Sequence, residues 1–219
     1  MTAVVLLAHG SPDPRSQQSV RDAASAVGAR LASPVSAAFL DHDARDLSHA
    51  VADLDGERRV VVLPLLLSTA YHARVDVPAA VAALHRDVVL LQPVGHPGPV
   101  LDDLLRRCDG PAVVVAAGTR VDDERRAFAA AVAAASARTR VPAVPAYATG
   151  PGRRVADATR PGGAAVVPWL LAPGRLLDVV TTSATEHGCR TVGGGLLREE
   201  EMISTLAARV SDVAADVVA

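Results

Sequence analysis

The sequence contains no lysine, since all 22 of its basic residues are arginine. Chemistry that depends on lysine, such as Schiff bases with carbonyl substrates or the lysine of a P-loop, is therefore excluded. Asparagine is absent as well, so no asparagine side chain can ligate a metal or stabilise an oxyanion. Aromatic residues make up only 2% of the chain and the net charge is −2. This composition fits an α/β core rich in alanine, valine and leucine, and it does not fit a nucleic-acid-binding protein with a basic face.

Cysteine is scarce too: Cys108 and Cys189 are far apart and form no CxxC motif. This spacing argues against a zinc finger or an iron–sulfur cluster and predicts two buried, reduced thiols. The N-terminus has no basic region of the kind found in signal peptides, and the first apolar run is too short to span a bilayer. We therefore expect a cytoplasmic protein without a membrane or nucleic-acid partner.

The apolar run at residues 3–8 predicts a short strand buried on both faces, as in a parallel sheet. His9 comes where this strand ends, Gly10 permits a tight turn, and Ser11 is placed to cap a helix. Ligands of open parallel sheets bind outside the carboxyl ends of the strands. His9 therefore lies where such proteins carry out their chemistry.

Apolar strands and helical patterns alternate through the first half of the chain. Strands are predicted over 35–40, 60–67 and 88–91, and helices over 15–32, 46–54, 76–85 and 98–107. A turn signal at residues 109–111 ends this pattern, and a second copy of it follows. We predict an α/β fold of two similar βαβα lobes related by internal duplication, residues 1–109 and 110–219, each with a mainly parallel sheet of about four strands.

The second copy lacks the chemistry of the first. Its segment 164–171 repeats 60–67, including the proline in mid-strand. Three side chains that could bind a metal or a proton are replaced by inert ones: His9 by Ala117, Asp41 by Thr149, and His72 by Leu176 or Gly174. Histidines needed only for packing would not be expected to disappear together. The repeat therefore predicts one active lobe and one lobe kept for its shape.

His9, Asp41 and His72 follow three successive strands and are expected at one edge of the sheet. Two imidazoles can bind Fe²⁺, Co²⁺ or Ni²⁺ and accept protons near neutral pH, and a carboxylate can orient one of them. A single histidine at a strand end is more often a hydrogen-bonded loop residue, but the joint loss in the repeat favours a site. His96 follows the fourth strand and could line the same edge. The remaining histidines are interpreted as solvated: His42, His49, His85 and His187.

Three segments of the first half resemble the sirohydrochlorin chelatase family, the ATP-independent class II chelatases of sirohaem and cobalamin synthesis. They are AHGS at 8–11, AFLD at 38–41, and VLPLLL at 62–67 followed by His72. The resemblance extends over both halves and matches the two-lobed form with a degenerate second lobe, which implies chelatase-like, flavodoxin-like lobes. One position departs from the family, because Asp41 stands where glutamate is usual and its carboxylate reaches one methylene less far.

The resemblance implies a lyase that inserts Co²⁺ or Fe²⁺, or Ni²⁺, into sirohydrochlorin, with no cofactor beyond this substrate ion. His9 and His72 would hold the metal and accept the pyrrole protons, Asp41 would assist them, and the tetrapyrrole would lie between the lobes. Side chains of the edge loops would bind the carboxylates of the macrocycle: Ser11, Arg15, Ser68, Thr69, Arg74, Arg120 and Arg175. Because the duplicated chain already supplies two lobes, a monomer is favoured over a dimer.

Three other functions are compatible with parts of the sequence to different degrees. A tetrapyrrole or metal carrier could use the same histidines without turnover, and the sequence does not separate it from a chelatase. Histidine phosphatases need an arginine directly before the strand-end histidine, where this chain has Ala8. A nucleotide-binding module is disfavoured because neither GxGxxG nor GxxxxGK occurs. The choice between iron, cobalt and nickel stays open, since the three ions suit the same ligands.

Overall fold

The computed structural model describes residues 2–54, 56, 59–68, 72–158 and 163–215, with the backbone alone for residues 72, 73, 158, 214 and 215. The strands are β1 Thr2–Ala8, β2 Val35–Phe39, β3 Arg59–Leu65, β4 Val89–Leu90, β5 Ala112–Ala116, β6 Ala143–Tyr147 and β7 Ala165–Trp169. The α-helices are α1 Pro14–Leu31, α2 Leu47–Ala52, α3 Val77–Ala82, α4 Gly98–Arg106, α5 Asp122–Thr139, α6 Val155–Ala158, α7 Arg175–Glu186 and α8 Glu200–Ala215. Within these described segments, no helix has the length and apolar character needed to cross a membrane.

The first sheet is parallel, with strand order β2-β1-β3-β4. Its central strand β1 has residues 3–7 fully buried, because helices cover both faces of a parallel sheet. The register pairs Ala8 with Phe39 of β2 and with Leu65 of β3. The carboxyl ends of these three strands are therefore level, and the loops after them begin at the same edge.

The second sheet is also parallel, with strand order β6-β5-β7. The predicted α/β fold with two similar parallel sheets is confirmed, but this sheet has three strands where about four were expected. The segment corresponding to β4 is reduced to one isolated bridge between Val166 and Thr191. Three glycines at 193–195 come directly after Val192. Because glycine is a poor strand former, they explain why the segment does not extend into a strand.

Each sheet tolerates a proline inside a strand, Pro64 in β3 and Pro168 in β7. In a parallel strand the N–H and C=O of one residue point to the same side. The carbonyl of Pro64 accepts a hydrogen bond from the Val94 amide at 3.1 Å, on the side away from β1 and beyond the short β4. The missing N–H thus removes no bond to the central strand, which explains why proline is allowed there.

The chain divides into two compact units, Met1–Gly95 with Met202–Ala219, and His96–Glu201. This division differs from the predicted boundary at residue 109, because α4 belongs to the second unit. Asp102 of α4, 8% exposed, accepts two hydrogen bonds of 2.8 Å from the guanidinium of Arg138 on α5. Such a paired, buried carboxylate fixes α4 against α5.

The C-terminal helix α8 belongs mostly to the first unit. Its residue Arg209 donates to the carbonyls of Gln92, Pro93 and Val94 at 2.9 to 3.1 Å, and Ser204 accepts from Arg30 of α1 at 3.0 Å. Burial of Met202 and Leu206 adds apolar packing to these bonds. Each half of the duplicated sequence therefore gives its last helix to the unit built by the other half.

Candidate functional site

The loops after β1 and β2 are joined by backbone hydrogen bonds at the sheet edge. The amide of Leu40 donates to the carbonyl of Ala8, and the amide of Asp41 donates to the carbonyl of His9, both at 2.9 Å. Gly10 has φ +99°, and a Cβ built on it would lie 1.9 Å from the carbonyl oxygen of Asp41. Glycine is therefore required for this close approach, which places His9 and Asp41 side by side.

His9 itself is half-buried, and its Nδ1 is shielded from solvent. Asp41 is the more accessible of the two, with 62% of its side chain exposed. One carboxylate oxygen, Oδ1, accepts a hydrogen bond of 2.7 Å from the amide of His42, and Oδ2 lies 3.5 Å from Nε2 of the His42 ring. The two hydrogen-bonded loops thus carry one carboxylate and two imidazoles, His9 on the loop after β1 and Asp41 and His42 on the loop after β2.

His42 is exposed, as the sequence analysis predicts. Its ring is partly exposed but faces Asp41. The loop 40–45 has a counterpart of equal length at 148–153: the amide of Phe39 donates to the Arg45 carbonyl, and the amide of Tyr147 donates to the Arg153 carbonyl. A comparison of the two loops residue by residue would have revealed that a histidine stands where the repeat has Gly150.

His72 begins a single π-helical turn, His72–Asp76, after β3. π-helical turns are uncommon and are frequent at functional sites. The side chain of His72 lies outside the described part of the chain, so its pairing with His9 stays a prediction. Among the side chains that are described, no group of three His, Cys, Asp or Glu is arranged to hold a metal ion.

The predicted substrate-binding residues of the first unit lie in different surroundings. Ser11 is half-buried and accepts a hydrogen bond of 3.2 Å from the amide of Asp13. Asp13, rather than Ser11 as predicted, caps α1, because its Oδ1 accepts the amide of Arg15 at 3.0 Å. Arg74 is exposed in the π-helical turn and Ser68 is half-buried, whereas Thr69 lies outside the described residues.

The guanidinium of Arg15 also holds Asp13, with Nε 3.0 Å from Oδ1 and Nη2 2.6 Å from Oδ2. This side-chain hydrogen bond is the main cause that lowers the pKa of Asp13 below its usual value. Asp13 therefore stays ionised. Arg15 is consequently only partly available to a carboxylate of the substrate.

The second unit repeats the same edge without its histidine and carboxylate. The amide of Ala148 donates to the Ala116 carbonyl and the amide of Thr149 to the Ala117 carbonyl, both at 2.9 Å, and Gly118 has φ +112°. These bonds match those of the first unit and support the alignment of Ala117 with His9 and of Thr149 with Asp41. The hydroxyl of Thr149 donates to the Ala117 carbonyl at 2.8 Å, so this side chain bonds to the neighbouring loop after β5.

Two further arginines predicted to bind substrate belong to the second unit. Arg120 follows the loop of Gly118, and Arg175 is the first residue of α7; both are exposed. Both therefore lie at the carboxyl edge of the second sheet, where the repeat predicted them, and their contact with a substrate stays a prediction.

His96, which the sequence analysis gave as a possible residue of the same edge, belongs to the second unit. Its Nδ1 accepts a hydrogen bond of 3.0 Å from Nε1–H of Trp169, and its ring centroid lies 5.3 Å from that of Phe128. Indole is a donor only, so the bond requires an unprotonated Nδ1. Burial lowers the pKa of His96. The negative charge of Glu124 raises it by a smaller amount, so the net effect is a lowered pKa. The residue is therefore a neutral packing histidine.

We expect the protein to lose stability below about pH 6.5 in part through His96. The unfolded chain takes up a proton at the ordinary histidine pKa, whereas the folded chain resists it until lower pH, so acid favours unfolding. Urea unfolding at pH 8, 6.5 and 5.5 measures this slope. His96→Gln should flatten it relative to the unchanged chain, while His85→Gln, at an exposed position, should not. Equal slopes for both variants would contradict the assignment.

The chain thus has two parallel α/β units, each with polar loops at the carboxyl edge of its sheet, the edge where ligands of open α/β sheets bind. The CbiX family model matches residues 3–109, about half of the chain, so this part of the chain is similar to the CbiX family. The predicted resemblance to the sirohydrochlorin chelatases is thereby confirmed. The matched segment carries His9, Asp41 and His72.

Solved structures share the fold of the whole chain. SirB from Bacillus subtilis with Fe³⁺ has a TM-score of 0.84 at 19% identity, over 99% of this chain and 96% of that one. The sirohydrochlorin chelatase SirB from Bacillus subtilis subspecies spizizenii in complex with cobalt has a TM-score of 0.75 at 20% identity. The match covers 96% of this chain and 94% of that chain. A third structure is CbiX, the terminal enzyme for biosynthesis of sirohaem in denitrifying bacteria. It has a TM-score of 0.72 at 18% identity, and the match covers 97% of this chain and 99% of CbiX. The search of curated proteins gave no match.

Proposed function

We propose that the chain is a chelatase that inserts a divalent metal ion into sirohydrochlorin. The observation that carries this proposal is the joined pair of loops in which the Asp41 amide binds the His9 carbonyl, at an edge whose equivalent in the second unit carries alanine and threonine. The similarity of residues 3–109 to the CbiX family and the SirB and CbiX structures support the same activity. The substrate ion would be Co²⁺ or Fe²⁺, and no further cofactor is proposed.

Metal insertion exchanges two pyrrole protons for one divalent ion, so the protein must both bind the ion and remove the protons. We assign metal binding and proton acceptance to His9 and His72, because neutral imidazole does both near pH 7. The exposed carboxylate of Asp41 would attract the hydrated ion and stabilise the imidazolium formed when a histidine takes a proton. The protons then leave to bulk water, which closes the proton balance of the reaction.

The substrate of this reaction carries several carboxylates, which suit arginine and hydroxyl donors. Arg74, Arg120 and Arg175 are exposed and free to change rotamer, whereas Arg15 would have to share its guanidinium with Asp13. We propose these arginines, with Ser11, Ser68 and Thr69, as contacts to the substrate. In the second unit the proposed role is substrate binding alone, since Ala117 and Thr149 replace the reactive pair.

The test is a spectrophotometric assay with the purified chain, sirohydrochlorin in excess, and Co²⁺, Fe²⁺ or Ni²⁺ added anaerobically in turn. Insertion shifts the absorption of the macrocycle, and a blank without protein gives the spontaneous rate. We expect many turnovers per chain with at least one ion, and the order of the rates gives the metal preference. A shift that stops at one equivalent without acceleration would contradict catalysis and indicate a tetrapyrrole carrier.

A further inference from the structure

The loop after β2 holds two metal-binding groups that face each other and are open to solvent. Oδ2 of Asp41 and Nε2 of His42 are 3.5 Å apart, with 62% and 43% of the two side chains exposed. The other carboxylate oxygen is fixed by the amide of His42 at 2.7 Å. The side chains are therefore oriented by their own backbone and do not need a ligand to bring them together.

His42 occupies a backbone conformation that favours glycine, with φ +60°. The equivalent residue of the second unit, Gly150, has φ +72° in a loop of the same length. A histidine in the left-handed region costs roughly 1 kcal/mol that glycine does not. The unit without reactive residues has glycine here, and the unit with them keeps an imidazole. The two units therefore differ at this position by one imidazole, and it stands next to Asp41.

The geometry of the pair fits a single divalent ion. If the metal–oxygen and metal–nitrogen bonds are each about 2.1 Å, atoms 3.5 Å apart subtend roughly 113° at the metal, which is close to tetrahedral. Oxygen and imidazole nitrogen together suit the ions of intermediate softness, such as Co²⁺ and Fe²⁺. Two ligands make a weak site, and a weak site releases its ion readily.

The backbone of this pair is bonded directly to that of His9. The Asp41 amide donates to the His9 carbonyl at 2.9 Å, and the His42 carbonyl accepts from Nε2 of Gln17 on α1 at 2.6 Å. The pair is thus held from both sides at the same edge as His9. His9 is half-buried, whereas the pair is exposed, so an ion arriving from solvent meets the pair first.

We propose that Asp41 and His42 form a receiving site for the divalent metal ion, with His42 as a ligand that delivers it towards His9. The inference rests on the proposed chelatase function. The hydrated ion exchanges two of its water molecules for Oδ2 of Asp41 and Nε2 of His42, and then leaves this pair for the more buried histidine. The shorter reach of aspartate is offset by the nitrogen ligand beside it.

The test uses Co²⁺ as the probe, bound to the full chain without tetrapyrrole and followed by calorimetry and by the visible absorption of the ion. His42→Gly removes the imidazole and keeps a backbone that the second unit shows to be allowed at Gly150, so the variant should fold. We expect its Co²⁺ affinity to fall on the order of tenfold. In the insertion assay the KM for metal should rise by a similar factor, while the KM for sirohydrochlorin stays unchanged.

His49→Ala is the matched control. Its ring also pairs with a carboxylate, since Nδ1 lies 2.9 Å from Oδ1 of Asp46, but this pair caps the start of α2 and involves neither Asp41 nor His42. The control should change neither Co²⁺ affinity nor either KM. If the unchanged chain inserts metal and His42→Gly binds Co²⁺ equally well, the receiving site is wrong and the chelatase stands. If no ion is inserted by the unchanged chain but His42→Gly still loses Co²⁺ affinity, the chelatase is wrong and the receiving site stands.

Discussion

Replacing His9 by alanine is expected to lower the rate of metal insertion by at least about a hundredfold, because proton transfer by a positioned side chain contributes a factor of this order. The substitution removes both an imidazole ligand and a proton acceptor at the end of β1. The fold should survive, since Ala117 occupies the equivalent position of the second unit with the same backbone bond from Thr149 to its carbonyl. His72→Ala is expected to act in the same way.

The spectrophotometric assay measures the loss, and circular dichroism with urea unfolding shows whether the variant is folded. His85→Ala provides the control, as this histidine is exposed and follows α3 rather than a strand end. It should leave the insertion rate within experimental error of the unchanged chain. A folded His9→Ala protein that inserts metal at the original rate would rule out His9 as a catalytic residue.

Gly10→Ala is expected to destabilise the protein by on the order of 3 kcal/mol, through strain at positive φ together with a steric clash. Gly10 has φ +99°, and the new Cβ would lie 1.9 Å from the Asp41 carbonyl oxygen, a backbone atom that no rotamer change can move. Relief requires the two loops to separate, which breaks the bond between the Asp41 amide and the His9 carbonyl. Insertion activity should therefore fall as well.

Gly110→Ala is the matched control, because a Cβ on Gly110 meets no atom within 4 Å. Urea unfolding of the two variants gives the difference directly, and we expect Gly110→Ala to change the free energy of unfolding little. If Gly10→Ala and Gly110→Ala unfold at the same urea concentration, the close approach of the two loops is not the constraint described above.

The central strands could be predicted because their signal is local. The apolar run of β1 and the run of β3 with Pro64 specify buried parallel strands whatever packs on them. Because parallel strands end at the same edge of a sheet, the sequence also predicted that His9 and Asp41 lie at one carboxyl edge, and they do. Cys108 and Cys189 are buried free thiols, also as predicted.

What the sequence could not show depends on tertiary contacts. His96 follows β4 in the chain as His9 follows β1, yet a hydrogen bond from Trp169, a residue 73 positions away, places it in the interior of the second unit. The apolar face of α4 could pack on either unit, and the sequence does not tell which. In the structure, the hydrogen bond from Arg138 of α5 to Asp102 holds α4 in the second unit. The left-handed backbone of His42 is not evident from the sequence, because most histidines have negative φ.

The exchange of α4 and α8 makes the duplicated chain resemble a domain-swapped pair joined by one covalent link. A protein cut between residues 109 and 110 would not yield two self-sufficient halves. The first fragment would carry α4 without Arg138 to neutralise Asp102, and it would lack the Arg209 that binds the carbonyls of residues 92–94. The sequence repeat and the structural unit therefore have different boundaries in this chain.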